Sequence, residues 1–362
     1  MPEDIHFSAE HGLATIELDR PKALNALTLD MIRAMHPMLD AWDHDDTVKA
    51  VLIKGAGGKA FCAGGDVRAV YRSIVDDLDG KGPSALSRVF FFEEYQLNHA
   101  IHAFSKPFVA LLDGVTMGGG VGVSIHGSHR IATERLMFAM PETGIGLFPD
   151  VGGGWFLPRL PGETGLYLAL TGARLDAAGV CALGLASHFV PSSRIEGLEA
   201  AFATTLATTE SGRAAINDVL DRMSEKPGPD PLAPHREMID RCFARNSVAA
   251  ILDALSREAE AGSDFARETR ETLLGKCPTS LVISFEQLRR GRALSSLAEA
   301  LTMEYRMSQA CMAGTEFFEG IRAALIDKDH APRWRPSSLA EVTPELVERH
   351  FAATGDLEFT PA

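Results

Sequence analysis

The chain has 362 residues, 46% of them apolar and 23% charged, enough to build a full core without metal or disulfide staples. A net charge of −14 argues against nucleic acid as a partner, which wants a basic face, and against adsorption on anionic membranes. It leaves small anionic substrates open, because one local basic patch can serve them.

Cys62, Cys181, Cys242, Cys277 and Cys311 are odd in number and dispersed. They form no C-x-x-C pair and fit a reducing compartment. The N-terminal Met-Pro-Glu-Asp-Ile-His-Phe has no apolar signal core and is acidic, unlike an Arg-rich transit peptide. No apolar run approaches the roughly 18–20 residues of a membrane span. These features predict a soluble cytoplasmic protein.

Residues 5–18 read as a hairpin turning at His11-Gly12. The loop Asp19 to Leu27 follows, and Thr28 can cap a helix running to about His44 with Leu29, Ile32, Met35 and Leu39 on helical spacing. Val48 to Ile53 is a mostly apolar strand, buried on both faces by that pattern. It feeds a glycine-rich turn, Gly55 to Asp66, and a helix from Val67. Ser84 to Phe104 reads as a long helix whose apolar stripe, Phe90, Leu97, Ile101 and Phe104, includes Glu94. A carboxylate on such a stripe is desolvated, faces a cleft, or leans out at the edge.

Lys106-Pro107 opens a strand, Phe108 to Leu112, that reads as passing through a tight turn at Gly118-Gly119-Gly120 into a helix. Arg130 to Ala132 and Leu136 to Ala139 are short strands. They precede Met140-Pro-Glu-Thr-Gly-Ile-Gly-Leu-Phe-Pro-Asp150, which sets Glu142 and Asp150 among prolines and glycines. The repeating unit is strand–strand–helix, an α/β pattern unlike a doubly wound sheet. Residues 163–205 and 212–325 are mainly helical by period, with a break at Lys226-Pro227-Gly228-Pro229. The predicted organisation is a core over 1–205 and a mainly helical region over 206–362.

Several familiar signatures are absent. The glycine runs do not spell G-x-G-x-x-G or a phosphate P-loop. Gly122-Val-Ser124-Ile-His126 misses the hydrolase elbow by one residue, and Ser124 reads as a small helix residue. His188 reads as structural, and Asp66 as a brace of its loop. Asp150 could cap a helix beginning at Val151. Lys22, Lys54, Lys59 and Arg68 could meet phosphates, though each reads more readily as a solvated surface cation. Gly64-Gly65 and Gly118-Gly119-Gly120 each sit between a strand and a helix. Together they could aim one backbone N–H each at a single carbonyl oxygen, an oxyanion hole.

Phe61-Cys-Ala-Gly-Gly-Asp66, Thr116-Met-Gly-Gly-Gly-Val-Gly122 and the 140–150 run, in that order, resemble the crotonase, or enoyl-CoA hydratase/isomerase, superfamily. That resemblance implies a crotonase-like spiral of strand–strand–helix units with a helical C-terminal region. It also implies an acyl-CoA substrate and no metal or cofactor beyond the coenzyme A that the substrate carries. Phe90 to Tyr95, Pro141 to Leu160, Leu185 to Val190 and Glu319 to Asp329 are similar to the branch of the family that hydrolyses 3-hydroxyisobutyryl-CoA, an activity of valine breakdown.

The resemblance assigns Gly65 and Gly119 to the oxyanion hole and Glu142 and Asp150 to catalysis. It puts Glu94, Lys22, Ala23, Leu24, Ala63 and Asp66 on the substrate, the loop Arg20 to Leu27 serving as a coenzyme A loop. One departure decides between branches. Hydratases carry a first catalytic glutamate three residues after the oxyanion glycine, where this chain has Gly122. The expectation is therefore thioester hydrolysis. The alternatives are an enoyl-CoA hydratase or isomerase of the same fold, and a non-catalytic acyl-CoA-binding subunit. The helical region could form a lid or a homo-oligomer contact.

Overall fold

The computed structural model describes residues 2–78, 86–355 and 358–361. Strands β1 (Ile5–Glu10) and β2 (Leu13–Leu18) form the antiparallel hairpin expected, with His11 and Gly12 at positive φ in its turn. From β2 onward the named strands pair in parallel. The strands β3 (Ala50–Gly55), β5 (Phe108–Leu112), β7 (His129–Ala132) and β9 (His188–Phe189) extend the hairpin into a six-stranded sheet. The strands β4 (Ala60–Cys62), β6 (Val115–Met117) and β8 (Met137–Ala139) form a second, three-stranded sheet. Each of the three turns of the spiral thus gives one strand to each sheet. The helices α1 (Leu29–Asp43), α2 (Val67–Leu78), α3 (Leu86–Ala103) and α4 (Gly119–Ile125) connect the turns.

Two details differ from the sequence reading. The short strands β4 and β6 fall inside glycine-rich stretches, where three residues are too few to set up a period. As a result Phe108–Leu112 does not run straight into the central helix; β6 intervenes and delivers the glycines from the second sheet. The predicted start of the long helix at Ser84 lies outside the described residues, and its described part begins at Leu86.

The large sheet separates two apolar clusters, and the alternation of its strands explains why. Val51, Ile53, Phe108, Ala110 and Leu112 face the inner cluster; Ala50, Leu52, Val109, Leu111 and Ile131 face the outer one. Strands buried on both faces read as unbroken apolar runs, which Ala50 to Ile53 does. Helices Ile195–Thr208 and Gly212–Met223 cover the outer face with Leu198, Phe202, Leu206, Ile216 and Leu220. Position 205 lies within the first of these. The inner cluster runs without a break from Ile16 and Leu27 to Phe243, Leu281, Leu301 and Phe317, so residues on both sides of 205 share one core.

Local signals anchor the connections. Thr28 accepts a hydrogen bond from Met31 N at 3.2 Å and caps α1, as its position predicts. Gly120 brings α4 against β4: a Cβ there would stand 2.1 Å from Cys62 O. Gly120→Ala should therefore destabilise the protein by about 1–3 kcal/mol or more, measured as a fall in denaturant midpoint. An unchanged midpoint would mean that the two strand–helix turns do not meet as described.

Candidate active site

The two glycine turns come together at one place. Gly64 and Gly118 adopt φ of +118° and +48°, conformations that favour glycine. A side-chain carbon added at Gly119 would lie 3.1 Å from Gly65 N and 2.4 Å from Glu94 Oε1. Gly65 is held by a parallel bridge to Leu27, in which Leu27 N donates to Gly64 O and Asp66 N donates to Leu27 O, both at 2.8 Å. In such a bridge the flanking residues do the bonding, so the Gly65 N–H faces the other way, toward Gly119. Gly119 opens α4, where the first amides have no intrahelical acceptor. Both N–H groups are therefore available to a ligand oxygen.

Glu94 and Glu142 lie against these turns, and Asp150 is near enough to act on both. Glu94 on α3 is 2% exposed, Glu142 in the turn after β8 is 4%, and Asp150 is 4%. Glu94 is thus buried, not leaning out at the helix edge. Burial raises the pKa of Glu94 well above the usual carboxylate range, and the nearby Asp150 raises it further. Glu142 is raised well above that range by burial and by Asp150, against the lowering effect of Lys276. Asp150 is pushed up to about 7 by burial, tempered by a hydrogen bond from Tyr95. Tyr95 Oη donates to Asp150 Oδ2 at 2.9 Å. Asp150 therefore does not cap a helix with its side chain; the following helix α5 (Gly153–Phe156) starts after Gly152.

Among the described residues Glu94 Oε1, Glu142 Oε2 and both polar atoms of Asn98 are buried without a hydrogen-bond partner. An unpaired buried polar atom costs about 1–3 kcal/mol. A group of them in one place marks a site built to receive a ligand or water. Asn98 is one helical turn beyond Glu94 on α3, so the two share a face.

The space at Gly122 is already filled. A Cβ there would stand 2.7 Å from Val151 Cβ and 2.9 Å from Asn98 Nδ2. Val151, directly after Asp150, has φ of +51°, an outlier for a β-branched residue. His126 Nε2 lies 2.7 Å from Val151 O. Burial holds the His126 pKa down to about 4, so the ring is neutral and its N–H donates to that carbonyl.

The loop Arg20 to Leu27 is sewn to the first glycine turn. Ala63 N donates to Leu24 O at 3.0 Å. Asn25, fully buried, donates to Ala56 O and Ala60 O and accepts from Arg20 N. Lys22, Ala23 and Leu24 stand exposed on the rim. Asp66 braces this junction as expected: its carboxylate accepts from Arg20 Nη2 and from Ala69 N, both at 3.2 Å. Lys54 pairs with Glu199 at 2.8 Å, away from the phosphate role considered for it. Ser124 bonds back to Gly120 O and Val121 O inside its helix, and His188 stacks on His129.

Sequence reasoning missed Tyr95, Lys276 and Glu304. Glu304 carried the same signal as Glu94, a carboxylate in an apolar stripe with Leu297 and Leu301 at helical spacing. Tyr95 lies within an aromatic run whose partners only the fold supplies.

Paired backbone donors facing buried carboxylates on a two-sheet spiral define an acyl-transfer or enolate-stabilising class of site. The chain belongs to the enoyl-CoA hydratase/isomerase family, whose sequence model matches residues 13–351. A Danio rerio protein named mitochondrial 3-hydroxyisobutyryl-CoA hydrolase is 51% identical, covering 97% of this chain and 90% of its own length. The Homo sapiens protein of the same name is 46% identical over 99% of this chain and 91% of its own length. Among solved structures, a carnitinyl-CoA dehydratase from Mycobacterium thermoresistibile matches with a TM-score of 0.90 at 40% identity, covering 99% of both chains. An enoyl-CoA hydratase from Rhodobacter sphaeroides 2.4.1 matches at 0.88 and 36%, covering 99% of this chain and 100% of that one.

The crotonase-like fold expected from the motifs is thus observed. The cytoplasmic expectation is not: the relatives are named mitochondrial proteins. Composition misleads here because cytosol and mitochondrial matrix are both reducing and both hold acidic soluble enzymes.

Removing the Tyr95 hydroxyl takes away a hydrogen bond that favours ionised Asp150. Tyr95→Phe should raise the Asp150 pKa above its value of about 7, read by carbon NMR titration of labelled aspartate. An unchanged pKa would mean that the hydroxyl does not stabilise the carboxylate.

Proposed function

We propose that this protein hydrolyses 3-hydroxyisobutyryl-CoA to 3-hydroxyisobutyrate and coenzyme A. The observation that carries this reading is the filled space at Gly122, where Val151 and Asn98 stand in place of a first hydratase glutamate. The names of the relatives at about half identity over nearly the whole chain point the same way.

In this mechanism the pantetheine arm enters between the two glycine turns, and the exposed Lys22–Leu24 rim meets the rest of the coenzyme. The thioester oxygen accepts from Gly65 N–H and Gly119 N–H, which stabilise the charge it gains. Glu142 acts on the carbonyl carbon, either taking a proton from an attacking water or attacking itself to form a mixed anhydride that water then opens. The C–S bond breaks and the departing thiolate takes up a proton. Asp150 accepts a hydrogen bond from the substrate 3-hydroxyl or manages that proton, and Glu94 binds the acyl part or tunes Glu142.

The desolvated carboxylates support these roles. Their raised pKa values bring base chemistry toward neutral pH, where a general base works best. The sign is that of a carboxyl base: rates should rise with pH as the group loses its proton.

A second reading, hydration or dehydration of an enoyl ester, follows the names of the two solved proteins, a dehydratase and a hydratase. Gly122 opposes it, because two-glutamate addition of water lacks one partner.

Glu142→Gln should keep acyl-CoA binding and lower kcat by roughly 10²-fold or more, the scale of a lost general base. Near-normal turnover would remove Glu142 from the mechanism. Asp150→Gly should impair 3-hydroxyacyl esters far more than unhydroxylated ones; equal losses would end its hydroxyl-reading role.

A further inference from the structure

The turn that presents Asp150 is clasped by a buried carboxylate from the helical C-terminal region. Glu304, on helix Leu297–Ala313, is 0% exposed. Its Oε2 accepts from Gly152 N at 2.7 Å and its Oε1 accepts from Gly154 N at 2.7 Å. Gln287, on helix Pro278–Gly291, donates from Nε2 to Pro149 O at 2.7 Å and to Glu304 Oε1 at 3.2 Å. The residues on both sides of Asp150 are thereby held: Pro149 by Gln287, and Gly152 and Gly154 by Glu304. Between them Val151 keeps its positive φ, with its carbonyl bonded to His126.

A carboxylate is unusual in so dry a place, and burial pushes its pKa up to about 8. Its hydrogen bonds from Gly152, Gly154 and Gln287 nevertheless suit the anion, since both oxygens only accept, while Asp150 opposes it. A charged group retained at this cost calls for a role beyond filling space. The same helix packs along α3, which carries Glu94 and Tyr95. One element therefore sets both the Asp150 turn and the helix bearing its hydroxyl donor.

We propose that Glu304 is a positioning residue for Asp150, holding the strained 150–154 turn in the shape that points this carboxylate at the substrate. The inference rests on the hydrolase reading for its consequence but not for its geometry. It gives the C-terminal helices a part in building the site itself. A glutamate that only tied a helix to a turn would stabilise the fold and leave substrate choice alone.

The test uses the full chain. Wild-type release of free thiol from 3-hydroxyisobutyryl-CoA is measured first; no release would refute the functional reading. Glu304→Gln keeps the shape but turns an amide NH2 toward a backbone N–H. It should lower kcat on 3-hydroxyisobutyryl-CoA by about 10–100-fold, the usual effect of a lost supporting contact, with KM little changed. The loss on isobutyryl-CoA, which has no 3-hydroxyl, should be smaller. Combined with Asp150→Gly, the substitution should add nothing to the loss from Asp150→Gly alone.

Equal losses on both esters, or additive losses, would overturn the proposal. Should Glu304→Gln fail to fold, Gln287→Leu removes only the supporting amide and should shift the same selectivity ratio in the same direction by several-fold; an unchanged ratio would overturn it. Amide exchange reads the clasp whether or not thiol is released. Gly152 and Gly154 should be protected in the wild type and exchange faster in Glu304→Gln, and unaltered exchange would contradict the clasp.

Discussion

Three buried carboxylates, gathered at two glycine turns, are the constraint around which this molecule is arranged. Desolvation raises Glu94, Glu142 and Asp150 together, and the charge of Asp150 adds to it at Glu94 and Glu142. Such a cluster persists only if its neighbours are fixed. Gly64 and Gly118 take the positive φ that shapes the two turns, and the missing side chain at Gly119 leaves room for Glu94. Tyr95 donates to Asp150, Lys276 offsets part of the charge at Glu142, and Glu304 holds the turn behind Asp150. The spiral supplies the framework, because each turn of chain passes through both sheets and brings another loop to the same edge.

The choice between adding water to a double bond and cleaving a thioester turns on one small volume. A glutamate at position 122 and Val151 in its present place are mutually exclusive, since even a Cβ would overlap Val151. The bare position 122 and the turn that follows Asp150 thus depend on each other in packing.

Much of the fold was legible in the sequence. The unbroken apolar run Ala50 to Ile53, the Thr28 cap and the His11-Gly12 turn each state their structure locally, and each formed as read. The strands β4 and β6 were hidden because three residues carry no period. Glu142, Asp150, Gly65 and Gly119 could be singled out from their spacing and the motifs around them, and the structure brings them together with Glu94. Tyr95, Lys276 and Glu304 reach the site across long sequence separations, and Glu304 contacts a turn about 150 residues away. No local pattern encodes such a pairing, although a carboxylate on an apolar helical stripe hints at it. The mitochondrial naming of the relatives corrects the compartment, a property that composition does not hold.

The central claim is that this site breaks a thioester. Free thiol should be measured alongside product identity with 3-hydroxyisobutyryl-CoA, 3-hydroxypropionyl-CoA and crotonyl-CoA under identical conditions. The account predicts stoichiometric thiol release from the 3-hydroxyacyl esters, with 3-hydroxyisobutyryl-CoA preferred, and no hydration of crotonyl-CoA. Hydration of crotonyl-CoA without thiol release from any ester would contradict it.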